Sequence, residues 1–306
     1  MGRKHRVAVV GGANIDLTAM PYEKYVAGDS CPGSLAVTYG GVGRNIAHNL
    51  ALMGCKVSLV TVFGDDVFAT GLKSDCERIG IDISRCATIA GKKSSMFISI
   101  NDENGELMSA VAAMDIADCL TPEFVSSRIA FLNSFDVVVL EANLPSETIA
   151  YILDNCTVPV FADTVSAPKS HKIFNVLNGD RHIHTLKLNR VEAQELTDAD
   201  MADTEALGRV ATLLHSKGVQ RVFITLGSQG LYYGDCEGSR FVPCQKVSVV
   251  NASGAGDAFL SGVIFAFLKD LDINSTIRCA MRASALTLQC IEAVNPEINE
   301  KYLLYE

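Results

Sequence analysis

Short apolar runs alternate with amphipathic segments along most of this chain, and that rhythm restricts the fold more than any other feature. Strand-like runs lie at Val7–Val10, Val57–Val62, Val137–Leu140, Val158–Phe161, Thr185–Leu188 and Val222–Leu226. Helix-like segments lie between them, at Asn45–Met53, Asp66–Ile79, Pro122–Leu132, Ser146–Asn155, Val191–Leu196 and Thr204–His215. Strands separated by helices of this length build βαβ units and a mainly parallel sheet covered on both faces. The pattern therefore predicts an α/β fold in three layers, α/β/α, around a mainly parallel central sheet. Two long helical segments, Gly254–Leu268 and Ser275–Ile291, close the chain.

Two regions break the rhythm. Residues 15–39 hold a stretch rich in Gly, Pro and Ser, and residues 94–110 read as a hairpin, within a lid that takes in about 15–39 and 94–112. In the hairpin, Ser95–Ile100 and Glu106–Ala110 flank the polar turn Asn101-Asp102-Glu103-Asn104-Gly105, a strong turn signal. Both regions are expected to stand off the body as a small β-sheet lid, and an exposed lid sheet is a natural contact for a homodimer. No linker, repeat or low-complexity tract divides the sequence, so residues 1–306 read as a single domain with a discontinuous lid.

The balance of 26 Lys and Arg against 35 Asp and Glu leaves a net charge of −9. Wrapping a phosphate backbone needs clustered cations, and beyond Arg3–Arg6 there is no such cluster. Nucleic acid and membrane surfaces are thus not expected partners. The apolar run after Arg6 is too short for a signal segment, and no stretch approaches the roughly 18 apolar residues of a membrane span. Ten cysteines include no Cys-x-x-Cys pair and no zinc-like spacing, so they are expected to be reduced, buried thiols in a cytoplasmic protein.

Five local motifs carry possible chemistry. Asn251-Ala252-Ser253-Gly254-Ala255-Gly256-Asp257 follows the strand-like Val247–Val250 and opens a helix. Small residues there can aim successive backbone N–H groups at an anion, with an acid alongside; a tight turn whose acid complements the helix dipole fits the same residues. Gly40-Gly41-Val42-Gly43-Arg44-Asn45 also opens a helix, and Asn45 either caps it or points into a site. Gly11-Gly12-Ala13-Asn14-Ile15-Asp16 ends the first strand, where ligands bind in parallel sheets. Asp16 could accept two sugar hydroxyls or serve only as a turn acid. Asn189-Arg190-Val191-Glu192 reads as a capping box or as an amide and carboxylate near phosphate-bound magnesium. Thr225-Leu226-Gly227-Ser228-Gln229-Gly230 is a strand end with a glycine turn. The α/β rhythm also suits a dinucleotide-dependent oxidoreductase, but Gly-x-Gly-x-x-Gly is not met, and no Walker A loop occurs.

In this order, the five motifs resemble those of the ribokinase-like (PfkB) carbohydrate kinases, along essentially the whole chain. The departures are Asn251 and Ala252, where that family's late motif carries Asp and Thr. The resemblance implies a ribokinase-like α/β/α sandwich with a small β-sheet lid, in which ATP phosphorylates a primary hydroxyl. It casts Asp257 as the general base and Gly254, Ala255 and Gly256 as amide donors to the transferring phosphoryl group. Lys187, Asn189, Thr225, Gly227 and Gly230 would border the nucleotide, together with residues near Val249. Asn189 and Glu192 would hold Mg²⁺ largely through water. Backbone oxygens of Asn251, Ser253, Ala293 and Asn295 would mark a K⁺ site.

Within that family the runs around Arg44, Asn251 and Asp163-Thr164-Val165-Ser166, with Lys169, look most like the members that phosphorylate the 5′-hydroxyl of the nucleoside pseudouridine. On this likeness Asp16, Gly40, Gly41 and Asn45 hold the ribose, with Asn143 a further contact. Asn14, offering both a donor and an acceptor, faces the uracil, and Thr18, Ser30, Phe97 and Met114 complete that pocket from the lid side. A kinase of the same fold acting on ribose, another nucleoside or a hexose is the near alternative, and a nucleoside-binding regulator without turnover the remote one.

Overall fold

The computed structural model describes residues 4–197 and 204–305. Its main sheet has eight strands. In chain order these are β1 (Arg6–Val10), β4 (Lys56–Val60), β9 (Val137–Glu141), β10 (Val160–Asp163), β11 (Ile183–Asn189), β12 (Val219–Thr225), β13 (Leu231–Asp235) and β14 (Gly238–Val242). Across the sheet they run β14-β13-β12-β11-β10-β9-β1-β4, parallel from β12 to β4 and antiparallel at the β12–β13–β14 edge.

The continuous apolar strands are explained by burial on both faces. Successive side chains of a strand point to opposite sides. Val7, Val9, Val137 and Val139 accordingly join one core with α1 (Val42–Leu52), α2 (Val67–Arg78), α9 (Ala255–Leu268) and α10 (Ile273–Leu288). Ala8, Val10, Val138 and Leu140 join the other with α5 (Ser146–Asn155), α6 (Ala167–Phe174), α7 (Arg190–Thr197) and α8 (Thr204–Ser216). The result is the α/β/α sandwich expected from the alternation. Among the described residues no helix is long and apolar enough to cross a membrane.

The two irregular regions form a separate four-stranded sheet, ordered β3-β2-β7-β8. Its strands are β2 (Asn14–Pro21), β3 (Gly33–Gly40), β7 (Met96–Asn101) and β8 (Leu107–Ala113). A two-residue pair, β5 (Val62–Phe63) with β6 (Ala87–Thr88), lies beyond β4. The lid leaves apolar side chains in solvent, notably Leu35, Val37, Leu107 and Val111.

Several sequence expectations are corrected. Pro122–Leu132 is two short helices, α3 (Pro122–Ser126) and α4 (Ile129–Leu132). The hydroxyls of Ser126 and Ser127 and the Arg128 guanidinium take the carbonyls of Glu123 and Phe124, which breaks the turn between them. Val158–Phe161 starts pairing only at Val160, because Pro159 lacks an N–H. The run Val247–Val250 is not a strand: Val249 and Val250 are exposed, and Val250 N–H donates to the Leu288 carbonyl. The edge of the sheet is already closed by the β13–β14 hairpin, so this run meets no partner strand. The last long helix, α10, begins at Ile273, fixed by the Asp272 side chain accepting from Asn274 and Ser275 N–H, and ends at Leu288; a short helix, α11 (Glu300–Tyr305), follows it. All ten thiols are free, but only Cys76 and Cys279 are buried and Cys236 is exposed.

Asp66 ties α2 to the lid. Its carboxylate caps α2 by accepting from Ala69 N–H and also accepts from Ser94 N–H and hydroxyl just before β7. Slight burial pushes this carboxyl up, but these bonds outweigh it and hold it below the usual range. Asp66→Ala is expected to lower stability by about 1 kcal/mol. The loss should be full above about pH 4 and should fade as pH falls through the lowered value, because only the carboxylate accepts these bonds. Thermal unfolding of both forms between pH 2 and 7 checks it.

Candidate active site

Six parallel strands end on one side of the sheet, and the sequence motifs gather there. Chain order reverses between β1 and β9: β4 lies on one side of β1 and β9 on the other. A crevice at such a reversal is the usual ligand site of an open parallel sheet. Gly11 and Gly12 follow β1, while Glu141 ends β9. The Glu141 carboxylate is fully buried, accepting from Gly12 N–H at 2.5 Å and Asn143 N–H at 2.6 Å. Burial pushes its carboxyl up, opposed by those bonds.

Two helices begin at this crevice without a side-chain cap. Gly41 precedes α1 and Gly254 precedes α9; Gly254 has φ 78°, the left-handed region that favours glycine. The open N-terminus of α9 thus offers unsatisfied N–H groups and a partial positive charge. Asp257 sits in its first turn, 8 % exposed, and accepts from Asn45 Nδ2 at 2.9 Å. Asn45 is therefore not the cap of α1 but a link between the two helices. Burial, then the Asp163 carboxylate, pushes the Asp257 carboxyl up to about 7, against the Asn45 bond and the Lys187 charge.

Lys187 lies directly beneath this turn. A Cβ on Gly256 would come 2.7 Å from its Nζ, so a side chain there would have to displace the ammonium. Lys187 Nζ donates to Asp163 Oδ2 at 3.0 Å, and both side chains are buried. Desolvation would lower the lysine, but the charges of Asp163, Glu192 and Asp257 prevail and raise it. Asp163 Oδ1 accepts from Val165 N–H at 2.7 Å. Val165 has φ 65°, a strained conformation for a β-branched residue, as occurs where a turn must aim a functional side chain.

On the acceptor side, Asn14 Nδ2 donates to Asp16 Oδ1 on β2. Partial burial pushes the Asp16 carboxyl up to about 6, against the Asn14 bond and the Arg44 charge. Gly40 lies opposite, and a Cβ there would strike the Asp16 carboxylate. Asn143 Oδ1 accepts from Lys169 Nζ at 2.5 Å, and Met114 Sδ lies 3.9 Å from the same ammonium. The structure thus brings Asn14, Asp16, Gly40, Gly41, Asn45 and Asp257 together, with Asn143, Met114 and Lys169 grouped alongside. It does not gather the lid residues in the same way. Thr18 Oγ1 accepts from the Ser99 hydroxyl, and Ser30 stands in the exposed 22–32 loop. Phe97, opposite Asp16 in the β2–β7 register, is partly exposed.

Asn189 and Glu192 form the reciprocal capping box: Glu192 N–H donates to Asn189 Oδ1 at 2.9 Å, and Asn189 N–H to Glu192 Oε2 at 2.7 Å. Glu192 also accepts from Asn189 Nδ2 and the Thr164 hydroxyl. Thr225 pairs with Asn189 across β11–β12, and Gly227 and Gly230 shape the following turn. Asn251 Nδ2 donates to the Ile291 carbonyl, Asn295 Nδ2 to the Leu286 carbonyl, and the Ala293 carbonyl abuts Gly254. The side chains of Asn251 and Asn295 are therefore engaged with backbone, while Ser253 is exposed. Among the described residues no trio of His, Cys, Asp or Glu is arranged to hold a metal.

Sequence reasoning missed Glu141, Asp163 and the Arg44–Asp75 pair as parts of this site, and it gave Lys169 no role. Glu141 and Asp163 each end an apolar strand, a signal legible beforehand; the pairings of Lys169 and Arg44 join distant segments and are not. A cavity of about 600 Å³, lined by Phe63, Lys73, Glu77 and Asp82 among others, includes none of the candidate residues.

Comparison with known proteins bears on this arrangement. The family model for pfkB family carbohydrate kinases matches residues 4–300. The pseudouridine kinase of Escherichia coli (strain K12) is 35 % identical over 98 % of this chain and 95 % of its own. A carbohydrate kinase from Agrobacterium tumefaciens superposes with a TM-score of 0.84 at 25 % identity, covering 98 % of this chain and 95 % of its own. The Arabidopsis thaliana ribokinase complexed with ribose and ATP shares the fold, with a TM-score of 0.85 at 19 % identity over 99 % and 98 % of the two chains. An open α9 N-terminus beside a buried acid, at the strand ends of a ribokinase-like sandwich, agrees with these matches: the chain belongs to the pfkB family of carbohydrate kinases, ATP-dependent enzymes that phosphorylate an alcohol group.

Proposed function

We propose that this protein transfers the γ-phosphoryl group of ATP to the 5′-hydroxyl of a nucleoside, and that the nucleoside is pseudouridine. The observation that carries the chemistry is the buried Asp257 carboxylate at the uncapped start of α9. Asp257 takes the hydroxyl proton as the alkoxide oxygen bonds to phosphorus and the bond to ADP breaks. The N–H groups of Gly254, Ala255 and Gly256 and the Lys187 ammonium face the negative charge of the transferring group. Such a reaction depends on alignment and charge neutralisation more than on covalent help. A base poised near neutrality suits proton transfer at physiological pH.

Lys187, Asn189, Thr225, Gly227 and Gly230 border the nucleotide in this reading. Both Glu192 oxygens already accept hydrogen bonds, which suits holding Mg²⁺ through water together with Asn189. When bound, Mg²⁺ supplies charge neutralisation at the outer phosphates. A K⁺ ion would rely on backbone carbonyls of Asn251, Ser253, Ala293 and Asn295, since the two asparagine side chains are engaged elsewhere. Asp16, Gly40, Gly41 and Asn45 hold the ribose. Asn14, Asn143 and Met114 border the base, with Thr18, Ser30 and Phe97 joining from the lid.

The acceptor reading is supported by the likeness to the E. coli pseudouridine kinase over nearly both whole chains and by the polar Asn14, Asn143 and Lys169 groups. We read residues 1–306 as one kinase domain with its lid, in the cytoplasm. The exposed Leu35, Val37, Leu107 and Val111 of that lid offer a homodimer contact.

A substrate panel with ATP tests the acceptor. Pseudouridine should give the highest kcat/KM, with free ribose poor because it leaves the base-facing polar groups unpaired. Preferred turnover of ribose, adenosine or fructose overturns the choice. Asp257→Asn is expected to cut kcat by about 10²–10⁴-fold with acceptor KM within a few-fold. Collapse of acceptor binding would make Asp257 a binding residue instead. Asp16→Ala should mainly raise the acceptor KM, and an unchanged KM removes it from the ribose site. With Asp16 and Asp257 raised to about 6 and about 7, kcat/KM should climb with pH through that range and level off above it, as each acid reaches its working, ionised form. A profile flat from pH 5 to 9 contradicts this.

A further inference from the structure

Arg44 lies in the first turn of α1, yet it is only 5 % exposed. One Nη group pairs with the buried Asp75 carboxylate of α2, which Arg78 also binds at 2.6 Å from the surface side. The other Nη group donates to Asn45 Oδ1 at 3.4 Å. Asn45 in turn donates through Nδ2 to Asp257. A chain of polar contacts thus runs Asp75–Arg44–Asn45–Asp257, across three helices.

The chemistry of the groups gives this chain a direction. An amide has a donor end and an acceptor end that differ little in shape. Arginine has only donors, so it can meet only the oxygen of Asn45. That leaves the NH₂ end for Asp257, where it can bond the carboxylate. We propose that Arg44, anchored by Asp75, is a positioning residue that fixes the Asn45 amide with its donor end toward Asp257. Asp75 supplies the counter-charge without which a buried guanidinium would be costly. Among the described residues, Arg44 Nε is buried without a hydrogen-bond partner, so this placement leaves one donor unsatisfied.

The inference rests on the proposed role of Asp257 as the base, and its consequences can be read separately. The charged groups facing Asp257 are Asp163, Lys187 and Glu141; facing Arg44 are the charged Asp75, Arg78 and Asp16, together with the His48 imidazole, which burial pushes down to about 4, and the Cys76 thiol, which burial pushes up to about 11. Losing the Arg44 anchor frees Asn45 to turn its oxygen toward Asp257, which removes a bond to the carboxylate and favours its protonated form.

The test compares wild type with Arg44→Met and Arg44→Lys. It reads kcat against pH, the acceptor KM, and the ¹³C carboxyl titration of Asp257 without substrate. Arg44→Met is expected to lower kcat by about 10- to 100-fold. It should also move both the acidic limb of kcat and the Asp257 titration to higher pH. Arg44→Lys, again donor-only, should recover part of each shift. A folded Arg44→Met protein with an unchanged Asp257 titration overturns the proposal and leaves Arg44 as a clamp between α1 and α2. If Arg44→Met does not fold, Asp75→Asn, which keeps Arg44 but removes its counter-charge, is read in the same way. Its Asp257 titration must move upward for the proposal to stand. A wild type that phosphorylates no nucleoside sinks the proposed function, while the carboxyl titrations still decide the role of Arg44.

Discussion

A carboxylate resists burial, and the structure is arranged around one that is buried. Asp257 is hidden at the start of α9, where the dipole of an uncapped helix and the Lys187 ammonium favour its charge while burial and Asp163 oppose it. Burial and Asp163 prevail and raise the carboxyl to about 7, which leaves a group able to take and release a proton near neutrality. The position of α9 follows from this need. Its N-terminus must reach the strand ends where Lys187 and Asp163 emerge, and its apolar length must fill the face of the sheet above them.

The surrounding features read as costs accepted to keep that balance. Lys187 and Asp163 form a buried ion pair, which an apolar pair could replace with little loss of stability. Val165 holds a strained backbone so that its N–H can meet Asp163. Among the described residues no cation bonds Glu141, whose carboxylate accepts from backbone N–H groups of the crevice. Natural proteins commonly concentrate such liabilities at working sites and offset them with well-packed cores. Here the two cores flanking the sheet supply that packing.

Several links bind the lid to the body. β2 leads directly from the Gly11–Gly12 turn and carries Asp16, while Asp66 joins the start of α2 to Ser94 at the entry to β7. The same helix α2 carries Asp75, which holds Arg44. Helix α2 therefore touches both the lid connection and the chain of contacts that ends at Asp257.

The sequence by itself determined the layered α/β plan, because strands buried on both faces must be continuous apolar runs and the helices between them must be amphipathic. It also marked the glycine turns at Gly40–Gly41 and Gly254–Gly256, where a side chain would fill the space that close approach needs. It misjudged Val247–Val250, whose apolar pattern meets no open strand edge, and the unbroken helix at Pro122–Leu132, undone by local serine and arginine bonds. Asn45 as a link rather than a cap, the exposed place of Ser30, and the Arg44–Asp75 and Lys187–Asp163 pairs were decided only in three dimensions. A pairing between side chains 24 or 31 positions apart in sequence leaves no periodicity to read, since it depends on which helices and strands the packed core sets side by side.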